Sequence, residues 1–350
     1  MSGVFFNDCE LNMLDDLRPR PKELYIFGAG TMGREVLARL GRAGYRVQAF
    51  LDNNRRLWTE TVAGLPVVDP ATMRGNAGIT VILASLLADE MREHCRSLEI
   101  SDVVSMSEAV RRFHLTHAFT QIEEDAMPGL GVWDDEDSIL TYRSLLRFRG
   151  TLDLAQLPSP APCLYFTDSV ATPDNLRAFV DCGAFDGDTY REFKRVTNGG
   201  YDRYYGFEPE PVLYGILEKV VAGDSRAVLF KCGLGETAGE ANFHALGSGH
   251  SNIEEGGSLR IRVDSLDNVL ANRPISMIKM DIEGAEMAAL AGAEKIIRQQ
   301  RPLLAISCYH QLDHLWRIPL WIRALDVGYR LRLLHHGTSY SDSVCYGIPG

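Results

Sequence analysis

The sequence predicts an α/β protein of two Rossmann-like domains, the second built on a mainly parallel sheet. Two apolar runs, LYIF (Leu24 to Phe27) and AFVDC (Ala178 to Cys182), each lead into a glycine turn and then a helix-patterned stretch. From Ala178 onward, short apolar runs alternate with segments of helical period, which implies a parallel sheet covered on both faces. The length of 350 residues, with 45% apolar and 24% charged side chains, suits two domains with cores of their own.

The first domain is expected over residues 20–114, with strands at Leu24–Phe27, Val47–Asp52, Ile79–Ser85 and Asp102–Ser105. Residues 115–173 read as a helical and Pro-rich connector. In WDDEDSILTYRSLLRF the acids gather at the start of a helix, while Ile139, Tyr142, Leu145 and Leu146 share one face. The second domain is expected over 174–350. Its strands are Ala178–Cys182, Arg203–Phe207, Ala227–Lys231, Leu259–Val263, Met277–Met280, Leu303–Ser307, Tyr329–Leu334 and Ser343–Ile348. TYRE (Thr189 to Glu192) has capping-box spacing and starts one helix. EPVLYGILEKVV makes another, with Pro211 in its first turn and Leu213, Ile216, Leu217 and Val220 in phase. A third follows Gly284, through AEMAALAGAEKIIRQQ.

A net charge of -11 argues against nucleic acid or an anionic membrane surface as partner. The apolar run ITVILASLLA is far shorter than the ~20 residues that cross a bilayer. MSGVFFNDCELNMLDD lacks a basic region followed by an apolar one, so a cytoplasmic protein is expected. The seven cysteines are scattered without a CxxC pair, which reads as reduced buried thiols and no zinc. Association into a homo-oligomer is compatible with this composition.

The two glycine loops differ in charge. FGAGTMGREV places Gly28, Gly30 and Gly33 in GxGxxG spacing, and Asp52 stands 24 positions after Gly28. Its bare amides suit a phosphate and Asp52 suits ribose hydroxyls, a second nucleotide site for a nucleotide or nucleotide-sugar. A structural relic without ligand explains the loop equally well, and an NAD-dependent enzyme acting through it is the rival reading. The second loop, FVDCGAFDGDTYREF, carries Asp181, Asp186 and Asp188. A pyrophosphate there would meet like charge, at a cost on the order of 1 kcal/mol for each close pair. S-adenosylmethionine has no phosphate and carries an ammonium and a sulfonium, which gain from acids. The expected cofactor residues are Asp181, Gly183 and Gly187 for close backbone approach, Phe185 against the cofactor, and Glu208 on the ribose hydroxyls.

At this point the second domain resembles the FkbM family of methyltransferases. The resemblance rests on FVDCGAFDGDT, YYGFEPEP, RVDSLD (Arg262 to Asp267), IKMDIEGAEMAALAGA (Ile278 to Ala293) and SDSVCYGIP. It implies a class I methyltransferase fold and S-adenosylmethionine-dependent transfer to hydroxyls of sugars, glycans or secondary metabolites, hence a small-molecule or glycan substrate. The first domain is similar to the N-terminal nucleotide-binding domain of bacterial sugar O-acyltransferases, through FGAGTMGREV, AFLDNN and GLPVVDP.

An alkyl hydroxyl must lose its proton to accept a methyl group, to a positioned base or with the help of a metal. Ligands of parallel sheets bind at the carboxyl ends of the strands. That rule gathers Asp281 and Glu283 with Lys279, then Tyr309 and His310, then His335 and His336. Asp281, Glu283 and Lys279 form the leading catalytic group, against the plainer reading of acids that complement a helix dipole. His310 is the expected base, because its neutral form is available near pH 7. His314, His335, His336, His244 and His250 are lesser candidates. A divalent metal on Asp281 and neighbouring acids is the alternative that is not favoured. LGSGHSN (Leu246 to Asn252) reads either as a lid or as a plain hairpin loop.

Overall fold

A computed structural model describes residues 22–85, 88–112, 124–244, 252–253, 259–338 and 341–350. The chain divides into two compact units. One comprises the chain up to Asp125 with Arg143–Leu157, and the other Ala126–Tyr142 with Pro158–Gly350. The segment 115–173 thus contributes to both.

In the first unit, β1 (Glu23–Phe27) pairs in parallel with β2 (Val47–Leu51). A hairpin of β3 (Thr61–Val62) and β4 (Leu65–Val68) adds to β2. On the other side of β1 lie β5 (Ile79–Leu83) and β6 (Val103–Ser105), both parallel. Helix α1 (Thr31–Arg42) follows the first glycine loop, α2 (Ala88–Ser97) follows β5, and α3 (Met106–Arg112) follows β6. Every residue of β5 is buried, as its unbroken apolar run predicts for a strand covered on both faces.

Helix α4 (Glu136–Thr151) begins where the acids gather, and Asp135 Oδ1 accepts the Ser138 N–H at 2.9 Å. Tyr142, Leu145 and Leu146 are buried as expected, and Ile139 is half-buried.

The second unit holds a seven-stranded sheet. Its parallel strands are β7 (Ala178–Cys182), β8 (Arg203–Phe207), β9 (Ala227–Phe230), β14 (Met277–Met280) and β15 (Leu303–Ser307). The antiparallel pair β16 (Tyr329–His335) and β17 (Ser343–Pro349) completes it beyond β15. The order is β16-β17-β15-β14-β7-β8-β9, so the direction of winding reverses between β7 and β14. Ligands of such sheets bind outside the carboxyl ends at that reversal. Phe179, Phe193, Tyr204 and Tyr346 are fully buried beneath it, and Phe179 and Phe193 pack at 4.8 Å between ring centres. Truncating a core ring such as Phe179 costs about 3–5 kcal/mol.

Three expectations change here. Leu259–Val263 is a strand, extended to Asp264 as β13, yet it belongs to a separate four-stranded sheet with β10 (Gly233–Leu234), β11 (Gly239–His244) and β12 (Asn252–Ile253). The helix after Gly284 is two helices, α7 (Glu286–Ala291) and α8 (Glu294–Gln300). They part at Gly292, where an added Cβ would stand 2.1 Å from the Gly235 carbonyl oxygen, so the chain turns where only glycine fits. The TYRE capping box does not form. Helix α5 (Asp188–Val196) already starts at Asp188, behind a left-handed Gly187, and the Asp188 carboxylate takes the Thr189 N–H at 2.6 Å. Helix α6 (Pro211–Val221) matches its prediction, with Pro211 at its start and Leu213 and Leu217 buried, although Ile216 is exposed.

The free edge of β16 is occupied by the residues just before α4 and by its first turn. Asp134 exchanges two hydrogen bonds with Leu331, its carboxylate accepting the Leu331 N–H at 2.6 Å and its own N–H reaching the Leu331 carbonyl at 3.2 Å. Ser138 Oγ accepts the Leu333 N–H at 2.9 Å. Helix α9 (His314–Ala324) packs beside this edge and contributes Arg323 to Asp134 at 2.7 Å.

Candidate active site

Strand register builds the floor of the site. Lys279 of β14 stands opposite Asp181 of β7, and their side chains meet at 3.0 Å inside the protein. Lys279 Nζ also donates to the Gly183 carbonyl at 2.7 Å and lies 5.4 Å from the centre of the Tyr165 ring. The Tyr204 hydroxyl donates to the other Asp181 oxygen at 2.8 Å. Burial pulls the Lys279 pKa down, but Asp181 and Asp281 outweigh it and the net direction is upward, so the ammonium keeps its charge. Asp181 is fully buried and does not reach the cavity. It therefore holds Lys279 and the loop in place rather than touching a cofactor, contrary to the sequence expectation. Lys279 is likewise a pinned cation and not a proton acceptor.

Above this floor, at the reversal between β7 and β14, lies a cavity of about 320 Å³. That is within the range of small-molecule sites, roughly 300–1,000 Å³. Gly183 has φ +83°, and a Cβ there would stand 2.1 Å from the Asp281 carbonyl oxygen, so the loop can pass β14 only as glycine. Phe185 lines the cavity, as do the carboxylates Asp188, Glu208, Asp281, Glu283 and Asp342. Lys279 is the cation among the lining residues, and Asp181 already neutralises it. Glu208 follows β8 and is buried; its two oxygens accept the N–H groups of Phe185 at 3.0 Å and Glu210 at 2.8 Å. Burial pushes its pKa up to about 7, against the pull of those two amides. Gly187 serves the helix start, and Asp186 pairs with Arg191 on the surface at 3.1 Å.

The other wall carries the candidate catalytic groups. Asp281 accepts hydroxyl protons from Tyr165 at 2.7 Å and Tyr309 at 3.0 Å, one on each oxygen. His310 is almost wholly buried, with Nδ1 at 2.8 Å from Glu286 and Nε2 at 3.3 Å from Asp281 and 3.5 Å from Glu283. Burial alone would lower its pKa, but Glu286, Glu283 and Asp281 together raise it well above the usual imidazole value. The three carboxylates around His310 favour its protonated form, which works against the role of neutral base expected from the sequence. Glu286 is fully buried, and although burial opposes its ionisation, His310 and His314 hold it well below the usual carboxylate range. Sequence reasoning missed Glu286: it stands in the noted DIEGAE segment, but only the fold brings its carboxylate to His310. Tyr165 and Leu164 were missed because they come from the stretch read as a connector, where nothing local marks a ligand. Asp342 was within the quoted SDSVCYGIP and went unassigned.

Among the described residues, His314, His335 and His336 do not line the cavity. His335 pairs with Ser343 Oγ at 2.9 Å, and His336 bridges the Ala161 carbonyl and the Tyr346 hydroxyl. His314 lies beside Glu286 at 3.1 Å, behind His310. His250 and most of LGSGHSN lie outside the described residues, as does the side chain of His244.

The first loop is a tight glycine turn between β1 and α1. Gly28 has φ +108°, and a Cβ at Gly33 would meet the Gly28 carbonyl at 1.9 Å, while Gly30 precedes α1 with open space around it. Asp52 Oδ2 accepts the Ala29 N–H at 3.0 Å and Oδ1 the Asn54 N–H at 2.8 Å, so its carboxylate braces the loop. Among the described residues no helix is long and apolar enough to cross a membrane.

Comparison with known proteins agrees with this geometry. The family model described as "Methyltransferase FkbM domain" matches residues 181–331. The crystal structure of a methyltransferase FkbM from Methylobacillus flagellatus superposes with a TM-score of 0.67 at 23% identity, covering 94% of this chain and 90% of that one. Fibrillarin from Aeropyrum pernix, solved with natively bound S-adenosyl-L-methionine, is more distant. Its TM-score is 0.33 at 12% identity, with 51% of this chain and 69% of that chain covered. An rRNA methylase from Streptococcus thermophilus gives 0.34 at 16% identity, with 51% and 94% covered. No curated protein matches the chain. None of these comparisons concerns the acyltransferase resemblance of the first domain. The mainly parallel sheet with its winding reversal and the acid-lined cavity there lie in the region, residues 181–331, that is similar to the FkbM methyltransferase domain.

Proposed function

We propose that the second domain is an S-adenosylmethionine-dependent O-methyltransferase acting on a hydroxyl of a small molecule, a sugar or a glycan. One observation carries the cofactor assignment: five carboxylates line the cavity and its lysine is neutralised from behind. Such a field suits a cationic, phosphate-free donor and opposes a dinucleotide. Glu208 would receive the ribose hydroxyls, whose two hydrogen bonds fit the acceptor capacity that its oxygens retain. Phe185 would lie against the cofactor, and Asp188 would face its ammonium. The bound cofactor supplies a methyl group already activated by sulfonium. The chain's own part is to hold the acceptor oxygen in line and to exclude water, which is where such sites gain most. Asp281 faces the cavity with its orientation fixed by two tyrosine hydroxyls, and it supports a role in aiming the acceptor hydroxyl.

Calorimetry of the full chain tests the cofactor. Binding of S-adenosylmethionine and its demethylated product, with none of NAD, is the expected result; uptake of NAD into this cavity without the methyl donor would overturn the reading. Mass spectrometry after incubation with sugars, glycans and small alcohols would then show which acceptor gains a methyl group.

A further inference from the structure

We propose that His310 Nε2, Asp281 and Glu283 form a divalent-cation site on the wall of the cavity, with Glu286 as the carboxylate that orients the imidazole. The site itself does not depend on the methyltransferase reading; its use in the reaction does.

His310 is seven per cent exposed, and its Nε2 makes no hydrogen bond among the described residues. That nitrogen points between Asp281 Oδ1 at 3.3 Å and Glu283 Oε1 at 3.5 Å. Donors roughly 2.1 Å from a common cation stand roughly 3.0–3.5 Å apart, and both distances from Nε2 match that spacing. The donor atoms of Asp281, Glu286 and His310 also lie within 4.8 Å of one another. The surrounding shell has the pattern of a metal-bound histidine. Its other ring nitrogen, Nδ1, is 2.8 Å from Glu286, a buried carboxylate, which fixes Nε2 as the ligating atom. Asp281 is oriented in turn by the Tyr309 and Tyr165 hydroxyls.

The charges agree. Asp281, Glu283 and Glu286 surround His310 with Asp342 near it, His314 lies against Glu286, and the nearby Lys279 is committed to Asp181. One imidazole with two carboxylates, of which Asp281 and Glu283 line the cavity, suits a first-row divalent ion such as Mn²⁺. An acceptor hydroxyl bound to such an ion loses its proton more readily at neutral pH. The O–H bond breaks with its proton passing to water, and the oxygen electron pair forms the new O–C bond. The donor C–S bond breaks as it forms, its electron pair passing to sulfur.

The test is a titration of the full chain with MnCl₂, read by calorimetry and by pulsed electron paramagnetic resonance. Uptake of a single ion with nitrogen coupling from one imidazole is expected. His310→Gln and Glu283→Gln should each weaken it by at least about tenfold. Glu283 is partly exposed, so its amide variant keeps the fold even if the buried His310 variant does not. Glu208→Gln should bind Mn²⁺ as the unaltered chain does while losing affinity for S-adenosylmethionine. Absent uptake, uptake unchanged by Glu283→Gln, or a signal without nitrogen coupling would overturn the site. Binding of the methyl donor without Mn²⁺ sinks the metal alone, and binding of Mn²⁺ without the donor sinks the cofactor reading alone.

Discussion

Each glycine loop is held by an acid from the end of the next strand, 23 positions along the chain. Asp52 accepts the Ala29 N–H at 3.0 Å in the first unit, and Glu208 accepts the Phe185 N–H at 3.0 Å in the second. The local mechanics are shared, but the surroundings are not. Helix α1 has no acid in its first turn, whereas α5 begins with Asp188, and Asp281, Glu283 and Asp342 stand around the second loop. Strand, turn and bracing acid thus make a frame, while the charge of the walls selects what the frame can hold.

Substitutions at matched places should separate frame from charge. The largest effect is expected beneath the second loop. Asp181→Ala strands the buried Lys279 ammonium and should cost about 3–5 kcal/mol of stability by denaturant titration. A loss confined to cofactor affinity with unchanged stability would contradict the positioning role. Gly183→Ala comes next, at about 3 kcal/mol or more, since it adds a clash to a positive φ. Gly30→Ala, in open space at the matching turn, should shift the melting temperature hardly at all.

Glu208 sharpens the contrast through pH. Its folded pKa, about 7, lies above the ordinary value of 4.5, so the folded state binds the extra proton between those values. Stability should therefore be greatest below pH 4.5 as far as this group is concerned. It should fall as pH rises from about 4.5 through about 7, by roughly 3 kcal/mol in total. Glu208→Gln should remove that slope; a slope that survives would assign it elsewhere. The smallest effect concerns binding. Glu208→Gln should weaken S-adenosylmethionine by about tenfold, or about 1.4 kcal/mol, and Asp52→Asn should leave it unchanged in calorimetry.

Much of the frame was legible because it is local. Strands β7, β8 and β14 are short apolar runs ending in Gly or acid, and their carboxyl ends, with that of β15, named Gly183, Phe185, Glu208, Asp281 and His310 as neighbours. What was not legible depends on register and distance. Nothing near Asp181 in the sequence says that Lys279 will stand opposite it and remove it from the cavity. His310 read as a base because its three carboxylates come from another strand end and helix. The break at Gly292 depends on the Gly235 carbonyl, and β10 and β12 are two residues long, too short to leave a periodic trace.

The outermost strand of the second sheet, β16, is paired by peptide groups on one flank and on the other by Asp134 and Ser138, which precede the family-matched region. A shortened protein that begins after Ser138 would leave those Leu331 and Leu333 amides open for another chain to pair with. The upstream residues work as a guard rail, so polymer formation in the trimmed protein would report the loss of a barrier rather than of catalysis.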